Sequence, residues 1–404
     1  MPLQKSILNR DIPRLFVAAT RQNDGKTTTC LGLYGVLRRA FERVGYIKPM
    51  GQRYVDLAGR KVDEDTILFD RFFHVDAPIE AMSPVVIDGS FTRRFLDDPD
   101  QLHRELVDKL VRAFDRASYE KDAVIIEGSG HAGVGAVCDL SNAQVAKLFG
   151  AKAIIVAKGG IGQPVDEISL NKSHFDQHGV EVLGVILNKC IPTKLEMVRS
   201  YAGKALSRLG VPLLGVVPES RPLSTPSLAQ VVAAVRGRWL NGQRQAARVR
   251  VRQIVVGAMA ARGIIDFLRP GVLVITPGDR DDILLAALAG GPGMTPGQRI
   301  AGIILTRGLL PHPKLMALLA EAKIPVVACA DDSYTVASQI NSLTVKTQPE
   351  DEDKIDLIQE LIATHVDIEQ VCAPFGVTIP PVAWAAPEPT VAAAPPVRPV
   401  YSAK

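Results

Sequence analysis

The segment Thr20-Arg21-Gln22-Asn23-Asp24-Gly25-Lys26-Thr27-Thr28 can hold a chain of phosphates. An apolar run over 15–19 leads into it, and a helix-forming run over 27–43 leaves it. In that order, the loop amides and the helix N-terminus turn N–H groups and partial positive charge toward an anion. Lys26 has the reach and the charge for the β- and γ-phosphates, and the Thr27 hydroxyl suits Mg²⁺. The pattern G-x-x-x-x-G-K-[ST] is met at Gly25, Lys26 and Thr27 and broken at its first position, where Thr20 stands. Asn23 and Asp24 fall inside the loop, where Asp24 reads equally as a turn residue. Arg21 reads as a phosphate contact toward a partner subunit or as a surface arginine.

Further residues of the right type lie at the ends of other apolar runs. Lys48, in Ile47-Lys48-Pro49, could offset charge on a transferring phosphoryl group. Asp63, Glu64 and Asp65 precede a helix-like apolar run; a Mg²⁺ contact somewhere in the cluster is one reading, and a helix cap at Asp63 or Asp65 is the other. Glu127 ends the run 123–127 and meets the turn Gly128-Ser129-Gly130-His131; it reads as a Mg²⁺-linked carboxylate or a turn residue, and His131 as a base or a passive loop histidine. Asn188-Lys189 and Pro218 close two more runs, where an amide, an aliphatic stem and a ring could flank a nucleotide base.

These positions share an edge only if the apolar runs form one sheet. Runs at 15–19, 46–48, 123–127, 153–157, 182–188 and 213–217 alternate with helical patterns at 27–43, 99–118, 139–148, 164–178 and 194–209. Short runs without polar interruption suit strands covered on both faces. Their alternation with helices predicts a doubly wound α/β parallel sheet with ligands at the strands' carboxyl ends. A second alternation follows, with strands at 253–259, 271–276, 300–306 and 326–330 and helices at 281–289, 334–341 and 353–364. The reading is a nucleotide-binding domain at 1–235, a basic linker at 236–252, a smaller α/β domain at 253–370 and a flexible Pro/Ala-rich tail at 371–404. The linker holds Arg236, Arg238, Arg244, Arg248, Arg250 and Arg252, read as a solvated face or an anion-binding patch.

Composition removes several classes. The 404 residues are 47% hydrophobic, enough for folded cores, and at about 100–200 residues per domain two or three domains are expected. With 47 basic and 43 acidic residues the net charge is +4, too mild to argue for nucleic acid or an anionic membrane. Aromatic residues at 5% leave little to stack on bases. No run of about 18 apolar residues offers a membrane helix, and the first fourteen residues hold no secretory h-region. Cys30, Cys138, Cys190, Cys329 and Cys372 are scattered and odd in number, which argues against a disulfide scaffold or a zinc ribbon. A cytoplasmic protein is expected.

The chain resembles the dethiobiotin synthetase-like P-loop proteins. The resemblance rests on Asp24-Gly25-Lys26-Thr27-Thr28, Lys48-Pro49, Glu127-Gly128-Ser129-Gly130, Asn188-Lys189 and Gly215-Val216-Val217-Pro218. It implies that Lys26 and Lys48 hold phosphate and a reacting carboxylate or carbamate, and that Thr27, Asp65 and Glu127 hold Mg²⁺. The stretch from Gly130 through His131 to Gly135 departs from the synthetase's run of small residues at its diamino-acid pocket. The second block resembles the DRTGG domain: Asp279-Arg280 keeps part of that motif, and Thr306-Arg307-Gly308 follows the next strand. Together the blocks resemble the amino-terminal two domains of long phosphate acetyltransferases. Without a counterpart of the acetyl-transfer domain, acetyltransferase activity is not expected.

Three functions are compatible with these residues. One is a Mg²⁺-dependent ATP-binding protein with weak ATPase action, whose second domain binds a small-molecule ligand or dimerises. Another is an ATP-dependent ligase that activates a carboxylate or carbamate. The third is a regulatory scaffold with a degenerate phosphate loop. A homodimer follows from the resemblance, since this group often pairs subunits around the site.

Overall fold

Uninterrupted runs of Val, Ile, Leu and Ala become strands buried on both faces. A computed structural model describes residues 12–289 and 300–377. Six parallel strands build the larger sheet: β1 (Arg14–Ala19), β2 (Val44–Ile47), β3 (Ala123–Glu127), β4 (Lys152–Lys158), β5 (Val182–Cys190) and β6 (Leu213–Pro218). Their spatial order is β6-β5-β4-β1-β3-β2. This central sheet is therefore of the parallel α/β type the alternation predicts. The pairing Val17↔Glu127 sets β1 beside β3, and Lys158↔Asn188 sets β4 beside β5, so the carboxyl ends of these strands finish on one edge.

The helix after β1, α1 (Lys26–Ala40), carries glycines at 32 and 35 on one face. A Cβ at Gly32 would lie 2.2 Å from Ile362 Cγ1, and one at Gly35 would lie 2.2 Å from Gln359 Oε1. These two glycines let residues 357–365 approach the α1 backbone. The backbone N–H of Asp367 then donates to Leu214 O at 2.7 Å, tying the returning chain to β6. Gly32→Val should therefore cost about 1–3 kcal/mol by overpacking, read as a lowered unfolding midpoint.

The chain divides into two units, and the boundary differs from the sequence reading. Among the described residues, those up to 67, from 75 to 218 and from 357 onward belong to the first unit. Residues 68–74 and 219–356 belong to the second. The end of the smaller domain thus falls near 356 rather than 370. The expected tail begins later as well. Ile368–Cys372 is a helix, Asp367 accepts a hydrogen bond from the Gln370 N–H at its start, and Val371 and Cys372 are buried. The Pro/Ala-rich residues 378–404 lie outside the described residues.

The second unit holds a five-stranded sheet of β7 (Arg238–Asn241), β8 (Gln253–Val256), β9 (Val272–Pro277), β10 (Gly302–Thr306) and β11 (Val326–Ala328). Its order is β7-β11-β10-β9-β8, with β7 antiparallel at the edge and the others parallel. The segment read as a basic linker is thus largely structural: β7 lies in it, with a short helix, Gln243–Ala246, behind it. Arginine density misled there because it reports side chains in solvent and says nothing of the backbone, and charged edge strands are a common protection against stray pairing. Arg250 is held by Asp351 at 2.8 Å and Asp353 at 2.6 Å.

All five cysteines are free and buried. No described helix is long and apolar enough to cross a membrane.

Candidate nucleotide site at the carboxyl edge of the larger sheet

The loop after β1 is braced from within. Thr20, at the position where the motif has glycine, donates its hydroxyl to Asp24 Oδ2 at 2.8 Å, and the Arg21 N–H donates to the same oxygen at 2.8 Å. The carboxylate of Asp24 therefore closes the loop rather than facing outward. The departure at Thr20 is compensated locally, because its hydroxyl secures the turn. Arg21 pairs with Glu167 at the surface.

Gly25 is the N-cap of α1 at φ +102°, where side chains are strained. A Cβ there would also meet Asn188 Nδ2 at 2.0 Å. The first turn of α1 receives no side-chain cap and holds no acidic residue. By contrast, the helices that begin after Ser141 and Ser227 carry full capping boxes. The orphan N–H groups of α1 are thus left to an external acceptor, as a phosphate cradle requires. Gly25→Ala should open the loop at a cost of about 1–3 kcal/mol. Hydrogen exchange of the Thr29 amide, which donates to Gly25 O at 2.8 Å, would show it as lost protection.

Asn188 and Lys189, expected beside a base, both grip the loop backbone. Asn188 Nδ2 donates to Asp24 O at 2.9 Å, and Lys189 Nζ donates to Asn23 O at 2.6 Å. Lys189 itself is at φ +56°. Pro218 closes β6 in register with Cys190, half-buried. Thr28 follows Lys26 and Thr27 on the first turn of α1, half-buried like them.

Behind the loop lies a buried charged centre. Lys48 Nζ contacts Asp65 Oδ2 at hydrogen-bond range, Asp63 Oδ1 at 3.2 Å and Glu127 Oε1 at 3.3 Å. Glu127 also accepts from the Thr27 hydroxyl at 2.8 Å and from the Tyr46 hydroxyl at 2.9 Å. Asp63 and Glu127 are each 1% exposed, so the charges cannot be satisfied by water. Burial opposes the charge on Lys48, but Glu127, Asp65 and Asp63 together outweigh it and hold its pKa well above an ordinary lysine. Burial raises the pKa of Asp63 and Glu127, and the Lys48 charge only partly offsets this. Burial lowers the pKa of Lys26, with Glu127 pulling the other way. An arriving anion would reverse that effect.

The oxygens of Thr27 and Glu127 are the hard donors that Mg²⁺ takes alongside phosphate and water. They adjoin one another, so this pair fits such an ion. Asp65 is engaged differently, with its carboxylate committed to Lys48. Among the described residues, no group of three or more His, Cys, Asp or Glu is arranged as a metal cage. The physical reason is plain: the Lys48 ammonium occupies the space between Asp63, Asp65 and Glu127.

Sequence reasoning missed Tyr46 and Asn142. Tyr46 stands two residues before Lys48, and period-two alternation puts both on one face, so that signal was present. Asn142 left none. Its Oδ1 accepts from the Ser129 N–H, and its Nδ2 donates to Ser129 O and His131 O, fixing the turn after Glu127 from thirteen positions away. His131 is exposed in that turn, and its Nδ1 accepts from the Gly133 N–H at 3.2 Å.

In the second unit, the Arg280 guanidinium bonds Asp282, Gly257 O at 3.1 Å and Met259 O at 2.9 Å. It ties the segment after β8 to the helix Asp281–Ala289.

Residues 13–227 match the model of a family described as AAA domain, and residues 230–343 match the DRTGG domain. Phosphate acetyltransferase of Pseudomonas aeruginosa is 30% identical over 373 residues, covering 88% of this chain and 51% of that protein. The Nitrosomonas europaea enzyme of the same name is 27% identical, covering 87% and 50%. The chain spans about half the length of these curated relatives. A solved structure of Cyanothece McdA with ATP is 14% identical, with a TM-score of 0.35, and covers 52% of this chain and 85% of that one.

Proposed function

The chain belongs to the P-loop family described as AAA domain and matches the amino-terminal domains of long phosphate acetyltransferases, and from that premise we propose that it binds ATP with Mg²⁺ and hydrolyses it slowly, under the control of its DRTGG domain. The observation that carries this reading is the first turn of α1, uncapped behind a left-handed Gly25 and flanked by Lys26 and Thr27.

In this reading the loop amides and Lys26 bind the phosphates. Thr27 and Glu127 hold Mg²⁺, which supplies Lewis-acid neutralisation of phosphate charge when bound. Asp63 and Asp65 position Lys48, so that its ammonium faces the site charged at every physiological pH. Lys48 can then offset charge that develops on a phosphoryl group. Asn188 and Lys189 act through the loop, holding Asn23 and Asp24 in place for the nucleotide. The second unit acts as a regulatory or pairing module for two copies of the chain.

Calorimetric titration of the full chain with a slowly hydrolysed ATP analogue tests this. Micromolar affinity that weakens at least about tenfold without Mg²⁺ is expected. Absence of binding in both conditions would mean that the loop is a structural relic.

A further inference from the structure

A cavity of about 230 Å³ opens beside the charged centre, on the side of Pro49 and the turn after Glu127. An apolar cavity of about 150 Å³ suffices to hold benzene, so this one has room for a somewhat larger molecule. Its walls are Phe16, Met50, Ile87, Phe91, Val134 and Val145.

The buried polar residues on the wall are already committed to one another. Asn142 spends its carbonyl on the Ser129 N–H and its amide on Ser129 O and His131 O. The Ser129 hydroxyl donates to Met50 O. Glu127 accepts from Thr27 and Tyr46 and is neutralised by Lys48. A charged ligand body would therefore lose its hydration without gaining a partner. Polar side chains that face solvent stand at Gln52 and Thr92, both exposed.

We propose that this cavity binds a small neutral molecule with an apolar body, its single polar end at Gln52 and Thr92. The wall chemistry excludes ligands that carry charged groups along their length. The binding itself is independent of nucleotide. The placement of this molecule as a second ligand of the phosphate site, against Glu127, rests on the function proposed above.

The probes are hexan-1-ol and benzyl alcohol, with hexanedioate and hexane-1,6-diammonium as counterparts that would carry a charge to the apolar end of the cavity. Binding to the full chain is read by saturation-transfer NMR and calorimetry. Two variants narrow the cavity from exposed positions that line it, Thr92→Trp and Val137→Phe. Lys26→Ala separates this proposal from the nucleotide reading, because it should weaken nucleotide binding about a hundredfold and leave probe binding intact.

Submillimolar binding of the neutral probes is expected, alike in the unmodified chain and Lys26→Ala, and weakened about tenfold in each narrowed variant. The proposal is overturned if neither neutral probe binds, if Thr92→Trp and Val137→Phe both bind as well as the parent, or if the charged probes bind as tightly as hexan-1-ol.

Discussion

Lys26→Ala is expected to weaken binding of a slowly hydrolysed ATP analogue by about a hundredfold, with the fold left intact. A hydrogen bond to a charged group contributes about 1.5–3 kcal/mol, or roughly 10- to 150-fold in affinity. The upper part of that range applies because Lys26 is partly buried, where charge interactions are less screened. Alanine keeps the helix start, so the loop amides and the Thr27 hydroxyl remain, and residual binding at about 0.1–1 mM should survive. The pH dependence provides a separate check. Burial lowers the Lys26 pKa, so the empty site loses its ammonium at lower pH than an ordinary lysine would. Affinity in the parent chain should therefore fall as pH rises toward that lowered pKa, because proton uptake must then accompany binding. In Lys26→Ala this slope should vanish. Calorimetry at several pH values reads both effects. Equal affinity in parent and variant would remove Lys26 from the site.

The larger sheet was legible because its strands are buried on both faces and so read as unbroken apolar runs, such as Ala123–Glu127. The phosphate loop was legible because Gly-Lys-Thr directly after a strand has few other uses. The rest depended on long-range packing that a local pattern does not record. Nothing local distinguishes Gly32 from any helix glycine, although it is the seat of Ile362. Residues 357–365 look like the end of a second domain because amphipathicity reports a buried face and not its partner. The basic stretch hid β7 because an edge strand needs its backbone, not its side chains, to pair. Within the site, strand-end position was enough to find Lys48 and Glu127. It could not decide whether Asp63 and Asp65 serve a metal or a lysine, since that depends on which cation reaches them. The structure places the Lys48 ammonium among them.

That arrangement makes Lys48→Met the substitution with the largest expected cost to stability. Methionine keeps the length and apolar stem of the side chain but leaves Asp63, Asp65 and Glu127 facing one another without the Lys48 ammonium. Removing one partner of a buried ion pair costs about 3–5 kcal/mol because the remaining charge stays desolvated. Here three carboxylates lose the same partner, and the Tyr46 and Thr27 hydroxyls relieve only Glu127. The sign with pH follows from linkage. Asp63 and Glu127 already have pKa values raised by burial, and loss of Lys48 raises them further. An acid with a raised folded pKa binds more protons folded than unfolded, so its contribution favours folding at low pH and is lost as pH rises through that value. Lys48, raised well above 10.5, stabilises the parent throughout the range below 10.5. The gap in unfolding midpoint between parent and variant should therefore be widest near pH 8 and should close toward pH 5, as the orphaned carboxylates take up protons. Adding Asp65→Asn should recover part of the loss at pH 8, because it removes one of the three uncompensated charges. Urea unfolding at pH 5 and pH 8 measures all of this. A Lys48→Met variant as stable as the parent at pH 8 would show that the carboxylates do not depend on that ammonium, and that a solvent cation or a proton already serves them.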